Sequence, residues 1–398
     1  MRKWIAVLLA VFLLTGVSGC GKPAASESEQ ALQKWLEQAD LNGQDTPEAL
    51  YEAALKEDTL VVYSTTTRIY KVKESFEAAY PGLTVEVYDT RAHDMVASLL
   101  NSYETQDWNC DIVICSDDNA NLTGKLLPRH MINKYVPYDI APALRNGADE
   151  DLLYFVGEFE QLFYNTEVYQ ECPITNWWEL TEPEWEGKIY MNSPLRSFPA
   201  YALVHSVIAN SDKMAEAYEA RYGQPLEVPE GSCAGKVFWE RLVQNGIQFT
   251  TSSNELVELV GTPGQSDPPL AFMISSKTRR NDVGLQVGAA YGVSPCDGVY
   301  APNSISIAGG AKNVNAAKLF IRWLLGEADG TGEGLKPYLL DGTWPVRTDV
   351  QTQSPVSLDE GSFWYNDKDD VAAREEEILE FWTGLQEGIE QSRSSMEQ

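Results

Sequence analysis

The stretch from Leu60 to Arg68 constrains the fold of this chain more than any other. Leu60 to Tyr63 is apolar or aromatic at every position, which is typical of a strand buried on both faces of a parallel sheet. Four hydroxyl residues follow, and apolar residues recur at helical spacing after Arg68, which predicts a helix. In open α/β sheets, ligands bind where a strand ends and a helix begins. Backbone N–H groups and the helix dipole favour an anion there.

The same pattern of a strand followed by hydroxyl, amide or arginine residues recurs along the chain. The runs are Ser64–Arg68, Ser193–Ser197, Thr250–Asn254 and Ser275–Arg279. A single run fits a helix cap as well as it fits a ligand contact. Several runs that face one cleft would supply fixed N–H and O–H donors to an oxyanion. The sequence therefore predicts an anion-binding cleft.

Length and charge narrow the class of protein. With 398 residues the chain is too long for one ordinary core, so two lobes are expected. The net charge of −29 argues against nucleic acid or an anionic membrane face as a binding partner. It does not decide the charge of a pocket, because nearby donors can outweigh a distant, screened field.

The N-terminus carries the features of an export signal. Arg2 and Lys3 precede an apolar run that ends at Leu14, which is too short to span a bilayer. The following segment Val17–Cys20 resembles the lipobox of bacterial lipoproteins. We therefore expect residues 1–19 to be removed and Cys20 to carry the lipid that holds the chain on the outer face of the cell membrane.

The remaining cysteines do not indicate a metal site. Their number is odd, so at least one is expected to be free, and the pairing of the others stays open. They are Cys110, Cys115, Cys172, Cys233 and Cys296. With only three histidines in the chain and no zinc-like spacing, we expect no resident metal or cofactor.

The pattern of strands and helices divides the chain into successive parts. A strand, helix, strand, helix, strand order over residues 60–116 predicts a doubly wound parallel unit, and a second α/β unit follows. The parts are a tether and N-terminal helix (20–45), the first lobe (46–156), the second lobe (157–298), a return to the first lobe (299–350) and a C-terminal helical segment (351–398).

Several stretches, taken in order, resemble the extracytoplasmic solute-binding proteins of bacterial ABC importers. The resemblance is to the group whose members bind ferric iron, thiamine, polyamines, aminoethylphosphonate or hexose phosphates. The stretches are Leu60–Ser64, Asp111–Ile114, Tyr164–Thr166, Trp185–Ile189, Asn303–Asn313 and Trp344–Arg347. The resemblance implies a two-lobed α/β architecture, the type II periplasmic-binding fold, with hinge crossovers that let the lobes close on a solute. It also implies a monomer without enzymatic activity that delivers its solute to a membrane permease.

The chain differs from some members of that group in residues that would contact the ligand, and these differences indicate which ligand class it binds. The chain has no pair of adjacent tyrosines of the kind that supplies hard anionic oxygen ligands to ferric iron. A cationic solute such as a polyamine or thiamine would need acidic and aromatic side chains, which Asp117, Asp118, Trp177, Trp178 and Trp344 could supply. The hydroxyl and arginine runs instead favour an organic phosphate, a phosphonate or a sugar phosphate.

The predicted ligand-binding residues fall into three groups. The first lobe supplies Ser64, Thr65, Thr66, Arg68, Arg91 and Asp117, with Asp117 accepting from sugar hydroxyls. The second lobe supplies Ser193, Arg196, Ser252, Ser253, Ser276 and Arg279, and the hinge supplies Tyr300 and Asn303.

Two other classes of protein remain as alternatives. Gly231–Gly235 matches a nucleophile elbow with Cys233 in place of serine, which would suggest an exported hydrolase. The proline before it argues against the buried strand that an elbow needs. A structural surface lipoprotein is the second alternative, and closure of the lobes on a small molecule would distinguish a receptor from it.

Overall fold

The computed structural model of the protein describes residues 26–145 and 150–396. The expected signal peptide and the lipidated Cys20 lie outside these residues. No helix within the described ranges is long and apolar enough to cross a membrane.

Fourteen strands are formed by the described residues. They are β1 (Leu60–Ser64), β2 (Val85–Asp89), β3 (Ile112–Ser116), β4 (Ile132–Asn133), β5 (Leu153–Gly157), β6 (Phe159–Asn165), β7 (Ile189–Asn192), β8 (Gln248–Thr250), β9 (Leu270–Ile274), β10 (Val287–Ala289), β11 (Gly298–Tyr300), β12 (Asn303–Ala308), β13 (Trp344–Pro345) and β14 (Phe363–Trp364).

Eleven α-helices are formed by the same residues. They are α1 (Glu27–Ala39), α2 (Pro47–Ala54), α3 (Ile69–Ala79), α4 (Ala92–Thr105), α5 (Phe198–Ala209), α6 (Ser211–Tyr222), α7 (Ala234–Gln244), α8 (Ser253–Gly261), α9 (Val314–Leu324), α10 (Lys368–Ala373) and α11 (Glu375–Met396). A nine-residue 3-10 helix, Ser275–Val283, follows β9.

Local sequence signals account for several of these boundaries. Ser26 caps α1 in a capping box with Glu29. Thr46 caps α2, which has Pro47 at its first position, where the missing N–H costs no hydrogen bond. The apolar strand β3 is buried on both faces, as expected for a central strand between helices.

The first lobe is built on a seven-stranded sheet. Its strands lie in the order β13-β5-β12-β3-β1-β2, and β4 pairs with β12. β1 is parallel to β2 and β3, whereas β12 runs antiparallel to β3 and β5. Helix α9 packs on α2 and α3, and Phe76 meets Phe320 edge to face at 5.1 Å between ring centroids.

The second lobe is built on another seven-stranded sheet. Its strands lie in the order β14-β11-β6-β9-β7-β8, and β10 pairs with β6. Trp177 and Trp178 are buried in the core of this lobe beside Phe238. These two tryptophans therefore do not form the cation-binding cleft that the sequence left open for them.

Three connections join the lobes in the described part of the chain, whereas the type II periplasmic-binding fold that the resemblance implied has two crossover strands. The chain crosses at Glu158, between β5 and β6, and returns between β11 and β12. A third crossing follows β13 and leads to β14, which pairs with β11 in the second sheet. The C-terminal segment thus adds a strand, β14, to the second lobe before its helices α10 and α11 begin.

The C-terminal segment is anchored on the second lobe by specific contacts. His205 Nε2 lies 3.0 Å from Asp370 Oδ2, and the amide of Asn366 donates to the carbonyl of Ala202. Trp382, on α11, is 1% exposed and meets the ring of Trp239 at 5.4 Å. The segment is therefore part of the second-lobe core.

Candidate functional site

A cavity of about 490 Å³ lies between the two lobes, and the N-termini of four α-helices line it. Helices α3 and α4 approach from the first lobe, and α5 and α8 approach from the second. The helix dipole at each of these starts places partial positive charge at the cavity. Their convergence makes this cleft a site for an anion.

The first-lobe wall begins where β1 ends. The hydroxyl of Ser64 accepts from the backbone N–H of Thr66 and donates to its carbonyl, both at 3.1 Å. Ser64 is fully buried, so it shapes the loop without facing the cleft. Thr65, Thr66 and Arg68 line the cleft, and Arg68 Nε donates to the Thr66 hydroxyl at 3.2 Å.

A serine side chain caps two of the four helices at the cleft, and no side chain caps the other two. In the first lobe, the N-cap residues of α3 and α4 are Arg68 and Arg91, and neither makes a side-chain cap. In the second lobe, Ser197 caps α5 and Ser252 caps α8. The hydroxyl side chains after β1 therefore do not cap α3. The N–H groups of Ile69 and Tyr70 donate instead to the backbone carbonyls of Thr66 and Thr67, both at 3.3 Å, which leaves the hydroxyls themselves uncommitted to the helix.

The second-lobe wall is a network of amide, hydroxyl and basic side chains. Asn192 donates to the Ser253 hydroxyl at 2.8 Å and accepts from Thr250 at 3.1 Å. Lys277 Nζ donates to the Asn254 amide oxygen at 2.9 Å. These bonds fix side chains from β7, α8 and the 3-10 helix relative to one another.

A close backbone approach supports the loop that carries Lys277 and Arg279. The hydroxyls of Ser275 and Thr278 donate to the carbonyls of Gly342 and Asp341. Gly342 has a φ of +78°, and a Cβ there would lie 2.1 Å from the carbonyl oxygen of Ser275. Only glycine fits this position, because a side chain would need both space and a backbone conformation that L-residues rarely adopt.

Two glutamates lie at the hinge side of the cleft in different environments. Glu158 accepts from Arg68 Nη2 at 2.5 Å and from the Asn303 amide at 2.8 Å, so its charge is paired. Glu160 is 2% exposed, and its Oε1 has no hydrogen-bond partner within the described part of the chain. Burial raises the pKa of the Glu160 carboxyl to about 8, and the charge of Asp118 adds to this while Lys277 opposes it.

The cleft has a net positive charge although the chain is strongly acidic. Five basic side chains line it, Arg68, Arg91, Arg196, Lys277 and Arg279, against the acidic Asp89, Glu158 and Glu160. Among the described residues, only Arg68 of these five has a carboxylate partner. Burial lowers the pKa of Lys277 to about 8, helped by the nearby charge of Arg279 and opposed by Glu158. An incoming anion would relieve this burial cost of the positive charge.

The structure brings together most of the predicted ligand-binding residues. Eleven of the fourteen line the cleft: Thr65, Thr66, Arg68, Arg91, Ser193, Arg196, Ser252, Ser253, Ser276, Arg279 and Asn303. Ser64 lies beneath the loop, as described above.

Asp117 and Tyr300 are turned away from the cleft and line a different cavity. The carboxylate of Asp117 accepts from the N–H of Leu122 at 2.6 Å and from the hydroxyl of Thr123 at 2.6 Å. It therefore satisfies the start of a helical turn instead of accepting from a solute.

Sequence reasoning missed the carboxylates and the lysine of the cleft. Glu158 and Glu160 stand in the run Phe155–Phe163, which is otherwise almost entirely apolar, and two charges in such a run are the signal that could have marked them. Lys277 stands in the Ser275–Arg279 run, and its side chain lines the cleft beside Arg279. Asn192 and Asn254 are further polar side chains of the cleft that were not among the fourteen predicted residues.

Comparison with known proteins identifies the family. The model of the family described as bacterial extracellular solute-binding protein matches residues 71–363. The chain belongs to this family. It is therefore a solute-binding protein and not an enzyme, and the predicted resemblance to the binding proteins of bacterial ABC importers is confirmed. No curated protein sequence matches the chain.

Solved structures with this fold include three from bacteria. Iron-bound HitA from Pseudomonas aeruginosa has a TM-score of 0.61 at 15% identity, covering 82% of this chain and 99% of its own. AfuA from Actinobacillus pleuropneumoniae, with fructose-6-phosphate bound, has a TM-score of 0.62 at 17% identity, covering 82% and 98%. Apo ferric ion-binding protein A from Pasteurella haemolytica has a TM-score of 0.60 at 16% identity, covering 83% and 98%. These similarities confirm the two-lobed α/β fold.

The structure also bears on the hydrolase alternative. Cys233 is the N-cap residue of α7, and the residues before it form no strand, so it does not stand on a nucleophile elbow. All five cysteines of the described ranges are free thiols. No group of three or more His, Cys, Asp or Glu side chains suited to a metal ion occurs in those ranges.

Proposed function

We propose that this protein captures a small organic anion between its lobes and delivers it to the transmembrane permease of an ABC importer. One observation carries the proposal: four helix N-termini and five basic side chains converge on one cleft. Helix starts and guanidinium groups are the donors that bind phosphate and carboxylate most strongly in proteins.

The preferred solutes are organic phosphates, phosphonates and sugar phosphates. The hydroxyls of Thr65, Thr66 and Ser253 can donate to the oxygens of such a group, and Arg91 and Arg196 have no carboxylate partner within the described residues to compete for it. Glu160 takes the role that the sequence gave to Asp117. Its carboxyl can accept from a hydroxyl of the organic part, which favours a hydroxylated ligand over an inorganic anion. The fructose-6-phosphate named for AfuA is a ligand of this class.

The other ligand classes have less support in the cleft. No tyrosine lines it among the described residues, so phenolate oxygens for ferric iron are missing from its walls. The net positive charge also opposes a polyamine or thiamine, because like charges repel in a partly buried site. The iron named for HitA is therefore not the solute that we propose here.

We also propose that the protein is exported and held to the outer face of the membrane by a lipid on Cys20. The charged start, the short apolar run and the Val17–Cys20 segment support this. Replacing Cys20 with serine should abolish incorporation of a labelled fatty acid into the protein, whereas labelling of this variant as in the parent would contradict the anchor.

The first experiment is a thermal-shift screen of the chain from Ser26 to Gln398, which keeps every described contact. The solutes are organic phosphates and phosphonates, polyamines with thiamine, and ferric iron with citrate. A specific ligand at 100 to 1,000 times its dissociation constant should stabilise the protein by about 3–4 kcal/mol. We expect this shift with the phosphate class only.

Variants then locate the binding site. Arg196→Ala and Thr66→Val should lose most of the shift, because each removes a donor that lines the cleft. Arg129→Ala removes an exposed arginine outside the cleft and should keep the full shift. A shift with cations alone, or a phosphate shift that survives Arg196→Ala, would reject the proposed ligand class. No shift with any solute would instead favour a structural lipoprotein.

A further inference from the structure

A second cavity of about 420 Å³ lies behind the hinge. The crossing between β11 and β12 separates it from the cleft, because successive residues of an extended chain point to opposite sides. Tyr300 and Pro302 line the rear cavity, whereas Ala301 and Asn303 line the cleft. We call this second space the rear cavity.

Aromatic side chains from three parts of the fold line the rear cavity. Tyr154 and Trp344 come from the first-lobe sheet, Tyr300 from the end of β11, and Tyr365 from the C-terminal segment. Tyr365 is 55% exposed and packs on Tyr300 with ring centroids 5.0 Å apart. The volume of the rear cavity falls in the range of small-molecule sites.

The rear cavity is acidic, in contrast to the cleft. Its described lining includes four carboxylates and two basic side chains. Asp118 is 7% exposed, and neither of its carboxyl oxygens has a hydrogen-bond partner within the described residues. Burial raises the pKa of Asp118 to about 7, and the nearby hydroxyl of Ser116 offsets only part of that rise. A buried carboxyl without a donor is costly unless something else supplies one.

An ammonium group of the chain itself, that of Lys368, already lies against the walls of the rear cavity. Lys368 extends its ammonium group over the ring of Tyr154, 4.9 Å from the centroid, and donates to the hydroxyl of Tyr154. The same ammonium lies 3.9 Å from Asp117 Oδ2. An aromatic face and a carboxylate are the two partners that an organic cation prefers. The cavity volume remains with Lys368 in place, so there is room for a further cation beside it.

We propose that the rear cavity is a second ligand site, which binds a small organic ammonium ion with Asp118 as its acceptor and the aromatic rings as its walls. The acidic and aromatic residues that the sequence offered for a cationic solute, Asp117, Asp118 and Trp344, are thus assembled on the far side of the hinge. This inference does not depend on the identity of the cleft ligand.

The test is calorimetric titration of the chain from Ser26 to Gln398 with 2-phenylethylammonium chloride. The matched neutral probe is 2-phenylethanol, which has the same ring and chain length without the charge. We expect one site per chain and at least tenfold tighter binding of the ammonium than of the alcohol. Equal affinity for the two probes, or no ammonium binding with a dissociation constant below about 5 mM, would overturn the proposal.

Four variants identify the acceptor and the walls. Asp118→Asn should weaken ammonium binding at least tenfold, and Tyr365→Ala, at an exposed position that the fold tolerates, should weaken it severalfold. Lys368→Met should strengthen it severalfold, because it frees Tyr154 and Asp117 from the internal cation. Lys125→Met, which removes the same charge at a site outside the cavity, should leave the affinity unchanged. If Tyr365→Ala and Lys368→Met both bind as the parent does, the site is not in the rear cavity, whether or not Asp118→Asn folds.

Discussion

Replacing Glu160 with glutamine should stabilise the unliganded protein at alkaline pH. Glu160 is almost fully buried, and burial raises its pKa from 4.5 to about 8. From pH 4.5 to pH 8 the unfolded chain has released this proton while the folded chain keeps it. The unfolded state then binds fewer protons, so stability falls as the pH rises through this interval. At about 1.4 kcal/mol per pKa unit, the parent loses on the order of 4–5 kcal/mol, which the neutral amide does not lose.

The assay is urea denaturation of the parent and Glu160→Gln at pH 5.0 and pH 8.5, without solute. Tryptophan fluorescence reports on the second lobe, because Trp177, Trp178 and Trp239 are buried in its core. The stability difference between variant and parent should be small at pH 5.0 and should grow to several kcal/mol at pH 8.5. A difference that stays the same at the two pH values would refute the reasoning, since it would mean that Glu160 ionises at its ordinary pKa.

Glu158→Gln is the matched control, because it makes the same chemical change two residues away. Glu158 is paired with Arg68, and both side chains are nearly buried. Removing one partner of a buried pair leaves the other charge uncompensated, at a cost of about 3–5 kcal/mol. We therefore expect destabilisation at pH 8.5 from this variant, the opposite sign to Glu160→Gln.

Three further outcomes are expected. Affinity for an organic phosphonate, measured by calorimetry, should fall by about tenfold from pH 7 to pH 9. The reason is that Lys277 loses its positive charge and Glu160 gains a negative one near pH 8. Lys277→Gln should therefore flatten the dependence of affinity on pH. Trp382→Ala should cost about 3–5 kcal/mol in chemical denaturation, because its ring is buried against Trp239, and a loss below 1 kcal/mol would separate α11 from the core. The chain from Ser26 to Gln398 should show five free thiols in urea without reductant, since its cysteines are unpaired, and a count of three or one would reveal disulfides.

Much of the first-lobe wall could be read from the sequence because local rules govern it. The apolar strand before Ser64 and the helical spacing after Arg68 fix where the strand ends, and parallel strands place such ends along one edge of a sheet. The same rule located the loops that carry Arg91, Arg196 and Ser253. These positions follow from secondary structure alone.

The hinge residues could not be predicted in the same way, because their orientation depends on register. Asp117 and Tyr300 stand close in sequence to residues that do line the cleft, Ser116 and Asn303. A shift of one residue turns a side chain to the opposite face, and no local pattern sets that register. The charged pair of Arg68 and Glu158 joins positions 90 residues apart, so only the tertiary fold reveals it.

The backbone of residues 300–303 separates the cleft from the rear cavity, because its side chains point alternately into one and the other. Neighbouring positions on it belong to different compartments, one basic and one acidic. Substitutions at Ala301 or Asn303 would alter the front compartment and leave the rear one intact, and those at Tyr300 or Pro302 would do the reverse. The chemistry of each compartment can therefore diverge independently, although a single strand-to-strand link builds both.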